Sequence, residues 1–278
     1  SMFSWGENCH RELEYITFFL MGQYLEIFLF TDGQVYTWGQ DSRGQLGLGR
    51  ERPSANSPQH VKSLSAAPLV QIAAGGEQSF ALSVSGAVFG WGRNDRGQLG
   101  LGDATGAVQY FTVVTKISCG RQHSVALTRD GQVYTWGQDS RGQLGLGRER
   151  PSANSPQHVK SLSAAPLVQI AAGGEQSFAL SVSGAVFGWG RNDRGQLGLG
   201  DATGQSKATL SCSIAEHEKD GDVFTFGSSQ YGQLGHDSLS DELHPRLVAD
   251  HWKSKVAKIA CGCSACFCFC AQCITNIV

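Results

Sequence analysis

A cysteine-rich run near the end of the sequence carries the residue types best suited to metal chemistry. Residues 261–273, CGCSACFCFCAQC, contain two Cys-x-x-Cys pairs, and four thiolates can hold a zinc ion in tetrahedral geometry. The pairs are Cys263 with Cys266 and Cys270 with Cys273. Only three residues separate the pairs, which is shorter than the spacing of ordinary zinc ribbons. We therefore predict no metal site and keep this zinc site as the alternative.

The same run also fits a β-strand. IACGCSACFCF aligns with ISCGRQHSVAL, which places Cys266 and Cys268 over Ser124 and Ala126. Small residues then alternate with phenylalanines, and a period of two residues is the period of a strand. We therefore favour a β-strand over a zinc site for this run.

A His-Ser pair could serve nucleophilic catalysis. His123 precedes Ser124, but adjacent residues of a strand point to opposite faces, and a triad also needs a carboxylate and an oxyanion hole. The same register elsewhere holds Gln78 and Gln176, each before a serine, which indicates a structural role in hydrogen bonding. We predict no catalytic residue and no enzymatic activity in this chain.

The repeated phrase GQLGLG could be mistaken for a phosphate-binding loop. It stands at 44–49, 97–102, 142–147 and 195–200, and a shortened GQLG stands at 232–235. The phrase lacks the Lys-Ser or Lys-Thr of a phosphate loop, and no helical pattern follows it. We predict no bound nucleotide and no other cofactor. The glycines are better explained as sharp turns, where a Cβ atom would clash.

The elements that carry these residues form a repeat. An aromatic strand, a Trp-Gly or Phe-Gly pair and GQLG recur in order, and the marker aromatics are 53, 45, 53 and 37 residues apart. A period near fifty residues is typical of solenoids and propellers. Each period contains three or four short strand patterns, which is one propeller blade. The marker aromatics are predicted to pack between blades: Trp38, Trp91, Trp136, Trp189 and Phe226.

A short polar loop separates each Trp-Gly pair from GQLG. Asp and Asn suit such turns, so solvated loops are one interpretation. Because propeller blades present equivalent loops on one rim, the alternative is a ring of mixed charge at which a protein partner docks. The candidate protein-binding residues are Asp41, Arg43, Asp95, Arg96, Asp139, Arg141, Asp193 and Arg194.

Two long segments of the sequence are identical. Residues 32–106 and 130–204 match at all 75 positions, at an offset of 98 residues. The offset is nearly twice the period, so two whole blades are copied in register. A recent duplication, an error in gene assembly and engineering are the three explanations.

Composition and charge narrow the class of protein. The 278 residues include 36 glycines, 41% are hydrophobic and 17% are charged, which favours a globular protein with many turns. A formal charge of -2 without blocks of like charge gives no support for nucleic-acid binding. No segment is apolar for long enough to cross a membrane, no secretory signal is evident, and the nine cysteines are not spaced as a disulfide framework. We expect a soluble protein of the cytoplasm, with the nucleus as the alternative.

Residues 117–147, ISCGRQHSVALTRDGQVYTWGQDSRGQLGLG, resemble the repeat of the regulator of chromosome condensation family, whose members are seven-bladed propellers. The shared features are Cys-Gly, His-Ser, Ala-Leu, Asp-Gly, an aromatic strand, Trp-Gly and GQLG, in that order. Residues 50–64, 148–162 and 220–248 resemble the N-terminal propeller of the small HERC ubiquitin ligases. In that family a HECT domain carries the ligase chemistry, so the resemblance implies that catalysis resides outside this propeller.

The resemblance implies an all-β fold, an incomplete or irregular propeller with about five or six recognisable blades of the seven-bladed pattern. We expect residues 1–278 to form one propeller domain, monomeric if the ring closes. Its expected divisions are a degenerate first blade at 1–31, two blades at 32–106, a blade segment at 107–129, the identical copy at 130–204, a partly degraded last blade at 205–260 and a Cys-rich tail at 261–278.

The functional hypothesis is a non-catalytic protein-interaction propeller of HERC type that recruits a substrate or regulator to ubiquitin conjugation. Its expected partners are proteins, with a small GTPase among the candidates, and neither nucleic acid nor a membrane. One alternative is a guanine-nucleotide exchange factor for a small GTPase. Another is a non-functional product of a duplicated or misassembled gene, in keeping with the identical copies.

Overall fold

The described part of the chain folds into β-sheets. The structure, a computed structural model, describes residues 16–21, 24–49, 54–102, 113–147, 151–213, 223–248, 258–261 and 265–269. Within these ranges all regular structure is strand, apart from two single-turn 3-10 helices at Lys62–Leu64 and Lys160–Leu162. No helix in the described ranges has the length and apolar character needed to span a membrane. The predicted all-β class is confirmed.

The described strands form five antiparallel sheets, and in the first four the strands lie side by side in sequence order, as in a propeller blade. The first sheet holds β1 (Ile16–Met21), β2 (Leu25–Phe30), β3 (Val35–Gln40) and β4 (Ser54–His60). The second holds β5 (Leu69–Ala74), β6 (Gln78–Ser83) and β7 (Val88–Gly92). The third holds β8 (Val114–Cys119), β9 (His123–Thr128), β10 (Val133–Gln138) and β11 (Ser152–His158). The fourth holds β12 (Leu167–Ala172), β13 (Gln176–Ser181), β14 (Ala185–Gly190) and β15 (Gln205–Ser213).

The fifth sheet is assembled from two separate parts of the sequence. It contains β16 (Val223–Gly227), β17 (Glu242–Leu247), β18 (Lys258–Cys261) and β19 (Ala265–Phe269), in the order β17-β16-β19-β18. The two last strands therefore occupy the positions that β12 and β13 hold in the fourth sheet. The strand predicted across the cysteine-rich run is confirmed, since it supplies β19.

The sheets are out of phase with the sequence repeats. The segment at 130–204 supplies the last two strands of the third sheet and the first three strands of the fourth. The turn at Asp130 and Gly131 is a hairpin inside a sheet and not a boundary between sheets. For the same reason, β15 completes the fourth sheet, although 205–260 was expected to form the last blade. A sequence repeat therefore marks the period of the blades and not their borders.

The first strands of neighbouring sheets are tied together by glutamine side chains. The Gln71 amide donates to the Ile117 carbonyl at 2.8 Å and accepts the Ile117 N–H at 3.3 Å. Gln169 binds both groups of Ile259 in the same way, at 2.9 and 3.3 Å. A single side chain thus satisfies a donor and an acceptor that would otherwise be unpaired at a buried strand edge.

The glycine-rich phrase GQLG forms the joint between one sheet and the next. The Gln45 carbonyl accepts hydrogen bonds from the Ser79 hydroxyl at 3.0 Å and the Trp91 indole N–H at 2.8 Å, both in the following sheet. The Gln98 carbonyl accepts from Ser124 and Trp136, and the Gln143 carbonyl from Ser177 and Trp189, at 2.8 to 2.9 Å. We call this arrangement the GQLG joint.

The last glycine of each joint lies against the aromatic ring that the joint binds. Gly145 has a φ of +69°, and a Cβ atom there would lie 2.9 Å from the Trp189 ring. Gly47 and Gly100 meet Trp91 and Trp136 in the same way. Glycine is required here for two reasons, since the conformation is left-handed and the contact leaves no space for a side chain.

Four of the five marker aromatics pack between sheets, as the sequence predicts, whereas Trp38 stacks on Phe28 of its own sheet with ring centroids 4.6 Å apart. Trp136, Trp189 and Phe226 are fully buried, and Trp91 is partly buried. The Phe80 ring meets Trp136 edge-on, with centroids 6.1 Å apart, across the second and third sheets. Aromatic pairs of this geometry add to the stability that their buried area supplies.

His123 and Ser124 take part in separate contacts between sheets. The Ser124 hydroxyl donates to Gln98, whereas the His123 Nε2 hydrogen-bonds the Ser177 hydroxyl of the fourth sheet at 2.8 Å. Because the Ser177 hydroxyl already donates to Gln143, the imidazole N–H is the donor in this contact. Burial of the ring lowers the pKa of His123 to about 4.

We expect the histidine to make the fold sensitive to acid. The pKa of His123 is lower in the folded chain than the 6.5 of a free histidine, so the unfolded chain binds the proton more tightly. Stability should fall as the pH drops from about 6.5 to about 4, by up to about 3 kcal/mol, and change little from this source above that window. His123→Gln should make the free energy of unfolding less dependent on pH between about 4 and about 6.5, measured by urea unfolding at a series of pH values. The exposed His244→Gln serves as control, and an unchanged slope in His123→Gln would contradict the assignment.

The GQLG joint predicts a graded response to alanine substitution. Gly49→Ala places a Cβ atom in open space at a φ of +71°, so it should cost only the left-handed conformation, about 1 kcal/mol. Gly145→Ala has the same conformational cost, and its Cβ atom also collides with the Trp189 ring, which should increase the loss of stability by about 1 to 3 kcal/mol more. Urea unfolding of the two variants measures the difference. Equal losses of unfolding free energy in the two variants would show that the contact between Gly145 and the Trp189 ring adds nothing to the cost of the substitution.

Candidate protein-binding rim

The loops between Trp-Gly and GQLG all adopt one backbone arrangement. The first polar residue of each loop accepts the N–H of the GQLG leucine, as Asp41 does from Leu46 at 2.9 Å. Asn94, Asp139 and Asn192 make the same bond at 2.9 to 3.0 Å. The glutamine of GQLG closes the turn from the other side, because its side-chain oxygen accepts the N–H of the arginine two residues earlier, at 2.7 to 2.8 Å. These local bonds explain why Asp, Asn and Gln recur here.

Two of the candidate binding carboxylates are not on the surface. Asp41 and Asp139 are 1% and 3% exposed, because each carboxylate turns inward to hold its loop. Burial raises the pKa of Asp41, although the hydrogen bond from the Leu46 N–H acts in the opposite direction. The expected ring of mixed charge therefore has fewer exposed carboxylates than the sequence indicates.

Two further candidate carboxylates are exposed but paired. The Arg93 guanidinium binds both oxygens of Asp95 at 2.6 Å and also reaches Glu77. In the fourth sheet, the Arg191 guanidinium binds Asp193 at 2.6 to 2.7 Å and Glu175 at 3.0 Å. The hydrogen bonds from arginine are the main cause of the lowered pKa of Asp95 and Asp193. Sequence reasoning missed these clusters, although the recurring Arg-x-Asp and Gly-Gly-Glu patterns were visible.

The arginine of each polar loop is exposed at the loop tip. Arg194 forms an ion pair with Asp241 of the fifth sheet at 3.2 Å. The other three, Arg43, Arg96 and Arg141, have no ion-pair partner within the described part of the chain. The fifth sheet carries Tyr231 at the corresponding position, 83% exposed. These five side chains lie at the same end of successive sheets, and we call this edge the arginine rim.

A cleft opens in the arginine rim between the third and fourth sheets. Its volume is about 550 Å³. Four polar residues, two glycines and one proline line it: Asp139, Ser140, Arg141, Gly142, Pro151, Gly204 and Ser206.

The zinc site that was kept as the alternative lies mostly outside the described residues. Cys263, Cys270 and Cys273 are not described, and no cluster of metal ligands occurs among the residues that are. Cys266 belongs to β19 and pairs with Phe226, just as Ser124 pairs with Trp136. Elsewhere, burial raises the pKa of the Cys119 thiol to about 12, so that sulfur is held in its unreactive protonated form.

Solved propellers share this architecture. Yeast RCC1 (Prp20) bound to Kap60 superposes with a TM-score of 0.74 at 21% identity, over 91% of this chain and 66% of that chain. A second structure of Prp20p from Saccharomyces cerevisiae gives a TM-score of 0.71 at 22% identity, over 92% and 68% of the two chains. At this level of identity the likeness shows the fold alone. It confirms the predicted propeller.

Relatives of higher identity carry the names of ligases. The human protein named "Probable E3 ubiquitin-protein ligase HERC3" is 46% identical over 85% of this chain and 24% of its own length. The rat "Probable E3 ubiquitin-protein ligase HERC4" is 40% identical over 74% of this chain and 17% of its own length. The chain thus spans about a quarter or less of these relatives.

A match to a known domain covers almost the whole sequence. The family described as the RCC1-like domain matches residues 7–273. The GQLG joints, the five blade-like sheets and the HERC relatives all agree with this match. The chain therefore belongs to the RCC1-like domain family, with relatives among the HERC ubiquitin ligases.

Proposed function

We propose that this chain is the non-catalytic protein-interaction propeller of a HERC-type ubiquitin ligase of the cytoplasm. In this proposal the propeller holds a protein substrate or regulator, and ubiquitin transfer takes place in another part of the ligase. The ligase names of the relatives support the connection to ubiquitin conjugation. Their greater length leaves ample room for a separate catalytic part.

The arginine rim is the single observation that carries the proposal. Four successive sheets present an exposed arginine at one loop position, and hydrogen bonds to the loop backbone hold each position rigid. Rigid loops lose little entropy when a partner binds, so a preorganised row of guanidinium groups is well suited to protein recognition. Arginine is also enriched among the residues that dominate binding energy at protein interfaces.

We expect charge reversal on the arginine rim to abolish partner binding without unfolding the chain. The rim variant combines Arg43→Glu, Arg96→Glu, Arg141→Glu and Arg194→Glu. Its control reverses three exposed cations on the opposite edge, Lys62→Glu, Arg129→Glu and Lys160→Glu. Binding of partners captured from cell extract should fall at least about tenfold in the rim variant and stay near the original level in the control.

The captured proteins provide the second half of the test. Proteins lost with the rim variant should be enriched in ubiquitin conjugates, measured by mass spectrometry of the captured fraction. Equal capture by the rim variant and the original chain would show that another surface binds. Faster release of GDP from a small GTPase in the presence of the chain would support an exchange factor instead.

A further inference from the structure

The cleft between the third and fourth sheets contains the guanidinium group of Arg141, which forms no ion pair with any carboxylate in the described part of the chain. Arg141 is exposed at its edge, and its backbone N–H is bound to Gln143, but no described residue forms an ion pair with its side chain. Asp139 also lines the cleft, but its carboxylate is turned inward, where its Oδ1 accepts the Leu144 N–H at 2.9 Å. Asp139 is 3% exposed and therefore belongs to the wall of the cleft.

The next joint along the propeller shows what normally fills this position. Arg194 is the counterpart of Arg141 in the fourth sheet, and its guanidinium binds the Asp241 carboxylate at 3.2 Å. Asp241 directly precedes β17, the outer strand of the fifth sheet. The protein thus contains one joint in which the loop arginine already holds a carboxylate.

Strand register identifies the residue that replaces this carboxylate beside Arg141. Glu242 pairs with the glycine that ends β16, and Gln205 pairs with the glycine that ends β14. The residue before each is therefore equivalent, which sets Gly204 in the place of Asp241. Gly204 has no side chain, so the position is vacant and the cleft is open there.

Other polar groups in the cleft are suited to a carboxylate. The Ser140 hydroxyl accepts a hydrogen bond from the Gln138 amide at 2.8 Å, which leaves its own O–H free to donate. Ser206 is the second serine among the lining residues. A carboxylate accepts several hydrogen bonds at once, and the planar guanidinium can donate two in parallel.

We propose that this cleft binds the carboxylate of a single Asp or Glu side chain on a protein partner. The inference rests on the proposed function, because it assigns a chemistry to the partner that the arginine rim receives. The bound side chain would reproduce between two proteins the ion pair that Arg194 and Asp241 form within one. Ser140 and Ser206 would supply the remaining hydrogen bonds.

A nucleic-acid phosphate is the less suitable occupant of the cleft. The clusters around Arg93 and Arg191 each set two carboxylates against one guanidinium, and they lie on the same edge in the second and fourth sheets. A continuous phosphate backbone running along this edge would meet those carboxylates and be repelled. A single acidic side chain entering the cleft avoids them.

Fluorescence anisotropy with labelled peptides tests the proposal. The probe is a short fluorescein-labelled peptide in which Glu alternates with Gly, and its partner probe carries Gln in place of Glu. We expect the Glu peptide to bind the full chain at least about tenfold more tightly than the Gln peptide. Arg141→Ala should remove this preference, whereas Arg96→Ala, the matching residue of another joint, should retain it.

Substitution of Gly204 provides the sharper test, because it should fill the site from within. The Gly204 backbone is not left-handed, and a Cβ atom there would lie 3.2 Å from its closest neighbour, the Gly190 carbonyl. Gly204→Asp should supply the missing carboxylate to Arg141 and reduce binding of the Glu peptide at least about tenfold. Gly204→Asn has nearly the same shape without the charge, so it should reduce binding of the peptide less than Gly204→Asp does. A thermal melt of both variants checks that they remain folded.

The outcomes separate this inference from the proposed function. Equal binding of the Glu and Gln peptides overturns the carboxylate site, and so does undiminished binding by Gly204→Asp. Tighter binding of a labelled oligothymidylate than of the Glu peptide also overturns it. If a partner captured from extract still depends on the arginine rim in any of these cases, the proposed function stands and only the chemistry assigned to this cleft is wrong.

Discussion

The carbonyl of the GQLG glutamine is the atom on which the arrangement of the sheets depends. It accepts two hydrogen bonds from the following sheet, one from a serine hydroxyl and one from a tryptophan N–H. Both donors are buried, so each would carry a large desolvation penalty if the carbonyl were displaced. The phrase must turn sharply to present this carbonyl, and its last glycine must leave space for the indole ring. One short loop thus fixes the spacing, the orientation and the packing of two adjacent sheets.

The joint between the fourth and fifth sheets shows which parts of this arrangement are indispensable. Phe226 replaces the tryptophan there, so no indole N–H is available, yet a Cβ atom on Gly198 would still lie 3.1 Å from the ring. Phe178 meets Phe226 with ring centroids 6.0 Å apart, which keeps the aromatic contact. Gln169 also ties β12 to β18 of the fifth sheet. The aromatic packing persists where one donor is lost, because apolar contact does not require a particular atom. The glutamine bridge persists because its partners are backbone groups.

The sequence predicted those features that follow from a local period. Alternating strands, turn glycines and marker aromatics repeat at regular spacing, so the all-β propeller, the burial of Trp136 and Trp189 and the strand at the cysteine-rich run could all be derived from the sequence alone. The assignment of strands to sheets could not be derived from the sequence, because a hairpin turn and a boundary between sheets have similar turn residues. The burial of Asp41 and the ion pair of Asp95 with Arg93 could not be derived either, since both depend on the direction in which a side chain points.

The identical segments at 32–106 and 130–204 show which contacts depend only on the repeated sequence and which depend on the sheet that follows it. Gln71 and Gln169 make the same bonds to an isoleucine of the next sheet, because each next sheet offers an isoleucine backbone at that point. Arg96 and Arg194 also occupy the same loop position, yet only Arg194 has an ion pair within the described residues, since Asp241 lies in the sheet that follows it. The joints rely on backbone groups and glycines, which any blade supplies. Whether a rim arginine forms an ion pair depends instead on the side chains of the next blade. Copying two blades in register therefore preserves the fold while it changes the chemistry of the rim, and a difference as small as Gly204 in place of an aspartate can open a cleft.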